Sequence, residues 1–394
     1  MSIGIVGNKC CGCRACEQKC KLGAISFKTD EYGFEYPEVA ADLCVDCGAC
    51  DNVCPAINTV VGSEALHGGA AYALDAQTKY DGSSGGMFGT FAKAVISKGG
   101  VVFGAAFDDD LKLKTTKAET VEELKPLYKS KYLLCDTSHK FDEIERELKN
   151  GKQVLYCSSP CQIAALKLYL KKDYDNLVVI DFVCHGVGSQ TLFDRSVEYT
   201  EKKKAIKINK ITLRYKKKNA VSSHYYSYVY AKGKSDFEKS DLYFSFPYYY
   251  AYCKQLVCRD SCYACKFATR ERVGDITIAD FHTVEKHYPS IDRFAGVSML
   301  LINTKKGEEL FDLVKDKLFY QETDKEVLYK ENRFSDEVVI PKAVPAFRKS
   351  VAEDPFSVTV ERFLKPSRDW KKIMYYKSPK FVRKMALKIF GRNL

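Results

Sequence analysis

No apolar run in this 394-residue chain approaches the ~18 residues needed to cross a bilayer, so no transmembrane helix is expected. The opening MSIGIVGNKC has no apolar h-region, and a secretory signal peptide is not expected either. No G-x-G-x-x-G follows a strand-like run, which leaves a Rossmann nicotinamide site unsupported; GIVG at 4–7 has no helix behind it. Histidine is scarce, with six in the chain, so few side chains are suited to proton transfer near neutral pH. An excess of basic charge is also nearly absent from most of the chain, despite a net charge of +11. Residues 1–62 carry five Lys/Arg against eight Asp/Glu, and residues 362–394 carry eleven against one, which leaves about +4 for the middle. A charge confined to one short segment, with no binding fold around it, argues against nucleic acid.

Cysteine is abundant, 17 in all. A chain this long without a leader does not suit a disulfide framework, and so many thiols point to a reducing compartment, the cytoplasm. Eight of them form Cys10-x₂-Cys13-x₂-Cys16-x₃-Cys20 and Cys44-x₂-Cys47-x₂-Cys50-x₃-Cys54-Pro55. This is the spacing of a ferredoxin with two 4Fe-4S clusters, in which three close thiolates wrap one cubane and the fourth reaches the other. Cys10, Cys13, Cys16 and Cys54 are expected to hold one cluster, and Cys44, Cys47, Cys50 and Cys20 the second. Zinc knuckles would use pairs with longer gaps. Cys11 has no place in this scheme and reads as a bystander.

The two halves repeat with an offset of 34 residues, Cys10 to Cys44. Between them AISFKTDEYGFEYPEV reads as a hairpin turning at residues 30–33. Residues 59–69 read as a linker. An α/β pattern follows, with strands expected at 70–74, 101–107, 154–157 and 177–183, and helices at 87–97, 119–125, 138–149 and 161–171. The last two strands with their helix make a β-α-β unit and a parallel pair. Residues 208–250 read as tyrosine-rich antiparallel strands, with buried strands at 275–280 and 297–304. Three domains are therefore expected: 1–60, 70–310 and a C-terminal extension 311–394. The fold class is α+β to α/β, a small ferredoxin domain fused to a larger α/β domain with a mixed sheet.

Cys161 follows one strand and Cys184 another, and sites in open α/β sheets gather at the C-terminal edges of strands. Cys258-x₃-Cys262-x₂-Cys265 suits a metal site better than a core. These five supply candidate ligands for one further cubane. Zinc held by four of them, or a Cys262–Cys265 disulfide, are the alternatives. Cys135, Cys157 and Cys253 read as small hydrophobes on strands. The loop Asp81-Gly82-Ser83-Ser84-Gly85-Gly86 precedes an amphipathic helix, and its amides would cradle a phosphate or flavin pyrophosphate unless it is a plain turn. His185 and His282, each at a strand end, are the candidate acid–base residues or else structural histidines. Asp280 is placed to bind a flavin or substrate hydroxyl, or to cap a turn. Tyrosines 225, 226, 248, 249 and 250 line a pocket or face the core.

SSGGMFGTFAKAVI, SKYL, SSPCQIAALK, FVCHGVGS, CRDSCYACKF and DITIADF occur in that order over about residues 70–310. Together they resemble the family of coenzyme F420 hydrogenase/dehydrogenase beta subunits, which includes flavin-binding subunits of deazaflavin-dependent enzymes, plant 7-hydroxymethyl chlorophyll a reductase and a divinyl chlorophyllide reductase. The resemblance implies FAD and a 4Fe-4S cluster in the main domain. It carries over to Ser84, Gly85 and Gly86 in the flavin loop and to Ser159 and Pro160 beside the cofactors. It also implies Cys161, Cys184, Cys262 and Cys265 as cluster ligands, and Cys258 as in some relatives. The stretch from 278 to 307 looks most like bacterial members, some of them among surface-polysaccharide enzymes.

The expected function is a flavin iron–sulfur oxidoreductase. It would take electrons from an external donor such as ferredoxin and reduce a small-molecule or glycan-related substrate. The alternatives are a relay module serving a partner enzyme, with or without coenzyme F420, and a sensor with structural clusters. The tail, about 366–394, places Phe381, Val382, Met385, Ile389 and Phe390 on one helical face with Lys and Arg around the rest. A membrane-surface or acidic-partner contact, or packing of the apolar face on the protein body or a second subunit, are its readings.

Overall fold

The computed structural model describes residues 3–216, 225–233, 235–292, 296–331, 334 and 339–366, with 374, 375, 378, 382 and 385 beyond them. The amphipathic tail expected from 366 onward therefore lies outside the described residues, apart from those last positions. Among the described residues no helix is long and apolar enough to cross a membrane.

The N-terminal module carries the expected hairpin, β1 (Ile25–Thr29) paired antiparallel with β2 (Glu35–Val39). Asp30 fixes the turn, its carboxylate accepting from the backbone N–H of Tyr32 and of Phe34. The main body is one mixed sheet built from β3 (His67–Ala73), β4 (Val101–Phe107), β5 (Leu113–Ala118), β6 (Val154–Cys157), β7 (Leu177–Phe182), β11 (Ile276–Asp280), β12 (Ser298–Ile302) and β13 (Leu318–Glu322). Their order is β13-β3-β12-β11-β7-β6-β4-β5. The centre, β11-β7-β6-β4, is parallel, and the flanking pairs are antiparallel. The parallel strands read VLYC and LVVIDF because helices cover both of their faces, and such strands are apolar throughout. Helix Pro160–Leu170 closes the β6-to-β7 crossover. It starts with proline at its first turn, where the missing N–H costs nothing. A second, three-stranded sheet of β8 (Ile208–Tyr215), β9 (Tyr225–Lys232) and β10 (Ser235–Leu242) is antiparallel throughout.

Several expectations change. The linker expected at 59–69 ends earlier, because β3 begins at His67. Residues 119–125 form turns leading into a short 3-10 helix, Lys125–Leu127, since Pro126 breaks the α pattern. Tyr248, Tyr249 and Tyr250 lie on helix Pro247–Cys253 rather than on a strand, and all three are buried. Cys253 ends that helix and is exposed, and buried Cys135 lies outside any strand. β13, from the segment expected to be an extension, completes the main sheet beside β3.

Under β7 and β11 a polar network replaces apolar packing. Asp181 is wholly buried, takes the hydroxyl of Thr277 at 2.5 Å and pairs with Arg272 at 3.2 Å. Such a buried pair is tolerated because its remaining lone pairs are satisfied; Gly274 N–H supplies one more bond, at 3.1 Å. The network fixes the register of the two strands whose C-terminal ends carry Cys184 and Asp280.

Candidate functional site

The first ferredoxin run folds as a loop and short helix, Ala15–Lys19; Cys10, Cys16 and Cys54 share one buried cluster with Cys50, and Cys13 packs on the neighbouring core while still acting electrostatically with Cys10 and Cys16. Burial and the neighbouring Cys10 and Cys54 push the Cys16 thiol up to about 12. Thiols held this way favour the protonated form on their own; iron supplies the charge that turns them into thiolates. Gly12 N–H donates to Cys10 Sγ at 3.3 Å, and Ala24 N–H donates to Cys20 Sγ at 3.3 Å. Bonds of this type stabilise sulfur charge and raise cluster potential. Of the second set, Cys50 is buried and Cys47 is exposed, so that set faces solvent.

Three loops at the C-terminal edge of the parallel strands bring the next thiols together. Cys161 stands in the first turn of helix Pro160–Leu170, Cys184 follows β7, and Cys262 lies on helix Asp260–Tyr263 with Cys265 just past it. All four act on one another electrostatically. Burial, and then Cys262, Cys161 and Cys265, raise the Cys184 thiol well above its ordinary value. Burial also raises Cys262 and Cys265, with Cys161 adding to both. Among the described residues no three of His, Cys, Asp and Glu lie close enough to hold a single metal ion. Cys258 also acts on Cys262, ahead of Cys161, and interacts with Cys184. It is buried, and its thiol donates to His185 O at 3.6 Å, behind Gly186.

Cys11 is not the bystander the spacing suggested. Its thiol is raised well above its ordinary value, and Cys13 and Cys161 both act on it, so it lies near the first ferredoxin set and the main-domain set alike. Ser159 adds a hydroxyl 3.3 Å from Cys161 Sγ. Gln162 anchors that loop by donating to Cys135 O at 2.6 Å.

The Ser83–Gly86 loop lies across β3 and β12. Ser84 Oγ donates to Val297 O at 2.6 Å, and Gly85 N–H donates to Ser298 Oγ at 2.9 Å. Gly86 has φ +83°, and a Cβ there would sit 2.8 Å from Thr78 O, so no other residue fits without moving backbone. Helix Met87–Ser97 starts at that glycine.

Three lysines that sequence reasoning gave no role surround the loop. Lys216 Nζ donates to Ser84 O at 2.6 Å and also to Lys79 O. Lys129 Nζ donates to Tyr80 O at 2.9 Å, and Lys131 Nζ to Tyr128 O at 2.7 Å. Burial lowers Lys216 to about 7, with Lys129, Arg214 and Lys79 adding repulsion. Burial likewise lowers Lys131 to about 7 and Lys129 to about 8. All three are half-buried, and among the described residues none has a carboxylate partner within ion-pair distance, which is costly for a cation partly withdrawn from water. The motif SKYL contains Lys131 and was the one available signal. Lysines usually read as solvated, and only tertiary burial separates these.

Asp280, at the end of β11, is held by Arg214 through paired contacts of 2.6 and 2.9 Å. Burial would raise its pKa, but the guanidinium outweighs burial and holds the carboxyl well below the usual range. Asp280 is thus an ionised anchor. His282 Nε2 lies 3.9 Å from Asp280 on an exposed rim, and His185 is exposed beside Cys184. Tyr132 stacks on Tyr252 with ring centroids 4.4 Å apart and walls the space between Arg214 and the Cys184 loop. Of the expected pocket tyrosines, Tyr249 packs on Tyr132 at 5.3 Å; Tyr226 packs into the core with Phe246.

The residues fit a flavin phosphate: a glycine loop at a helix N-terminus, closed to any side chain, lies beside half-buried lysines that lack a carboxylate partner. They fit a cubane equally, with four thiols converging from three loops.

Residues 151–327 match the family described as the C terminus of the "Coenzyme F420 hydrogenase/dehydrogenase, beta subunit". Residues 9–57 match "4Fe-4S dicluster domain". A subunit of the F(420)H(2) dehydrogenase of Methanosarcina mazei is 22% identical over 185 residues, covering 43% of this chain and 51% of that protein. A ferredoxin-like protein in the nif region of Rhizobium leguminosarum bv. trifolii is 38% identical over 63 residues, 16% of this chain and 97% of that protein. A chain of the F420-reducing NiFe hydrogenase complex from Methanosarcina barkeri is similar at 14% identity and a TM-score of 0.44, over 76% of this chain and 92% of that one. The chain spans about half the length of the dehydrogenase protein it matches. Residues 151–327 thus carry the C-terminal domain of a coenzyme F420 hydrogenase/dehydrogenase beta subunit and residues 9–57 a 4Fe-4S dicluster domain, which relates the chain to iron–sulfur electron-transfer oxidoreductases.

Proposed function

We propose that the protein is an FAD- and 4Fe-4S-dependent reductase that carries electrons from its exposed ferredoxin cluster to a flavin, and from there to an organic substrate. The observation that carries this reading is the continuous run of redox-competent groups across the molecule. Cys11 links Cys13 to Cys161. Cys161 faces Cys184, Cys262 and Cys265. Cys184 neighbours Tyr252, which stacks on Tyr132 beside the Arg214–Asp280 pair and the Ser83–Gly86 loop.

In this reading Cys161, Cys184, Cys262 and Cys265 hold a third cubane, and Cys258 supports them from behind. Ser83, Ser84, Gly85 and Gly86 seat the flavin phosphates, Lys129 and Lys216 neutralise them, and Asp280 accepts a flavin or substrate hydroxyl. FAD supplies the step between two-electron and one-electron chemistry. His282 and His185, both on the rim, are the groups available to hand a proton to bound substrate. The substrate is a small organic molecule or a glycan precursor.

A second reading, a relay module serving a partner enzyme, is favoured by the exposed Cys47, which brings the outer cluster to the surface. The Methanosarcina mazei relative is also named as one part of a larger dehydrogenase.

Anaerobic iron, sulfide and flavin analysis tests the proposal. The wild-type chain is expected to hold about twelve iron and twelve sulfide, with one FAD. Cys262→Ser should fall to about eight iron and keep its flavin. A wild-type value near eight would remove the third cluster, and a protein that neither contains nor binds FAD would remove the flavin.

A further inference from the structure

Arg259 is one of the largest fully buried side chains in the molecule, at 0% exposure. It lies between Cys258 and Cys262, at the start of helix Asp260–Tyr263, yet its guanidinium reaches into the ferredoxin module. Nε donates to Cys10 O at 2.6 Å, and Nη2 donates to Glu35 O at 2.7 Å. The plane lies over the ring of Tyr36, 4.0 Å from its centroid. Nη1 is buried with no hydrogen-bond partner. It faces the Cys10–Cys13 loop, where a Cβ on Gly12 would stand 3.4 Å away.

Among the described residues no carboxylate lies within ion-pair distance of this guanidinium. Neighbouring Asp260 pairs with Arg348 at 2.6 Å, and the Glu35 side chain pairs with Arg14 at 2.6 Å. Arg259 takes only backbone carbonyls from the hairpin and the loop. A buried guanidinium with neither a counter-ion nor a full set of bonds is strongly unfavourable, by several kcal/mol per ion after relaxation. Something else at the site therefore carries negative charge. Cys10, Cys13 and Cys16 lie on the loop that Nη1 faces, and a cubane held by four thiolates is an anion that gains another negative charge on reduction.

We infer that Arg259 is the built-in counter-charge of the first ferredoxin cluster, the one held by Cys10, Cys13, Cys16 and Cys54. It raises that cluster's reduction potential and clamps the cluster against the main domain. Because the anion grows on reduction, the cation stabilises the reduced form more than the oxidised form. Ser261 reinforces the clamp, its hydroxyl donating to Cys10 O at 3.0 Å. Thr137 does the same for the far side of the loop, donating to Cys13 O at 2.7 Å. Arg259 touches none of the sulfur-bearing side chains covalently, so it is a positioning and tuning residue. The inference concerns the ferredoxin-domain cluster that Arg259 reaches from the main domain, and stands whether or not a third cluster is present.

The test is an anaerobic redox titration of the full-length holoprotein, followed by electron paramagnetic resonance, for wild type, Arg259→Gln and Arg259→Lys. Iron is counted in each sample. Arg259→Gln keeps the ferredoxin-domain iron while one cluster becomes about tenfold harder to reduce at fixed potential, a displacement of about 59 mV to more negative values for a one-electron couple. Arg259→Lys keeps the charge and holds the midpoint near wild type. A wild-type midpoint in Arg259→Gln overturns the inference, as does an equal displacement in both variants, which would assign the effect to packing. Should Arg259→Gln not accumulate with its iron, Arg259→Lys decides alone. A wild-type midpoint supports the counter-charge, and a midpoint displaced despite the retained cation refutes it.

Discussion

Raising the pH should weaken flavin binding through the half-buried lysines, and the size of the effect follows from their surroundings. Lys216 sits at about 7 in the flavin-free protein because burial and the neighbouring cations disfavour its charged form. At pH 8 an amine with that pKa is about one-tenth protonated. A bound phosphate restores the favourable environment, so binding must return most of one proton to Lys216. The apparent affinity then falls by up to tenfold per pH unit per lysine above pH 7, about 1.4 kcal/mol each. Without ligand the sign for stability is the opposite. A lysine whose folded pKa is lowered costs the fold its full penalty below about pH 7, and the penalty fades as pH rises toward the unfolded value. Flavin-free protein should therefore gain stability between pH 7 and 10 from this group. The assay is titration calorimetry of flavin-free protein with FAD at pH 8, in buffers of different ionisation enthalpy. We expect proton uptake approaching one or more per flavin, reduced by nearly one in Lys216→Met. Binding without proton uptake, or the same uptake in wild type and Lys216→Met, would refute the reasoning.

Further outcomes follow from the same geometry. Gly86→Asp combines a left-handed backbone conformation with a carboxylate at the phosphate seat, so it should abolish FAD binding while iron content stays at the wild-type value, as absorbance and metal analysis would show. Arg214→Met leaves the Asp280 carboxylate buried without its cation and should cost about 3–5 kcal/mol, read by denaturant unfolding; a loss under 1 kcal/mol would mean Asp280 is already solvated. Cys11→Ala should retain all iron, because Cys11 lies outside both ligand sets, yet slow electron transfer from the ferredoxin clusters into the main domain in stopped-flow traces.

The ferredoxin ligands were legible because cubane geometry demands thiolates a few residues apart, and that constraint is local in sequence. The parallel core was legible for a similar reason: VLYC and LVVIDF have the unbroken apolar character of strands covered on both faces. Helix Gln190–Lys204 was not legible. Its buried face uses Ser196 and Thr200 beside Leu192, Phe193 and Val197, which dilutes the apolar period. Cys161, Cys184, Cys258, Cys262 and Cys265 were readable as candidates, but their mutual proximity is a tertiary property that joins three separate loops. Lys129, Lys131, Lys216 and Arg259 escaped sequence reasoning altogether. A cation is conspicuous only when it is buried without a partner, and burial here comes from residues as distant as Lys79 and Cys10.

The account's central claim is that one chain wires an exposed ferredoxin cluster to a flavin through the Cys161, Cys184, Cys262 and Cys265 centre. Anaerobic stopped-flow mixing of FAD-loaded protein with a photoreduced ferredoxin donor tests it most directly, following cluster bleaching and flavin absorbance together. The account predicts that the clusters bleach first and the flavin follows, and that in Cys262→Ser the ferredoxin clusters still bleach while the flavin stays oxidised. Flavin reduction at the wild-type rate in Cys262→Ser would contradict it.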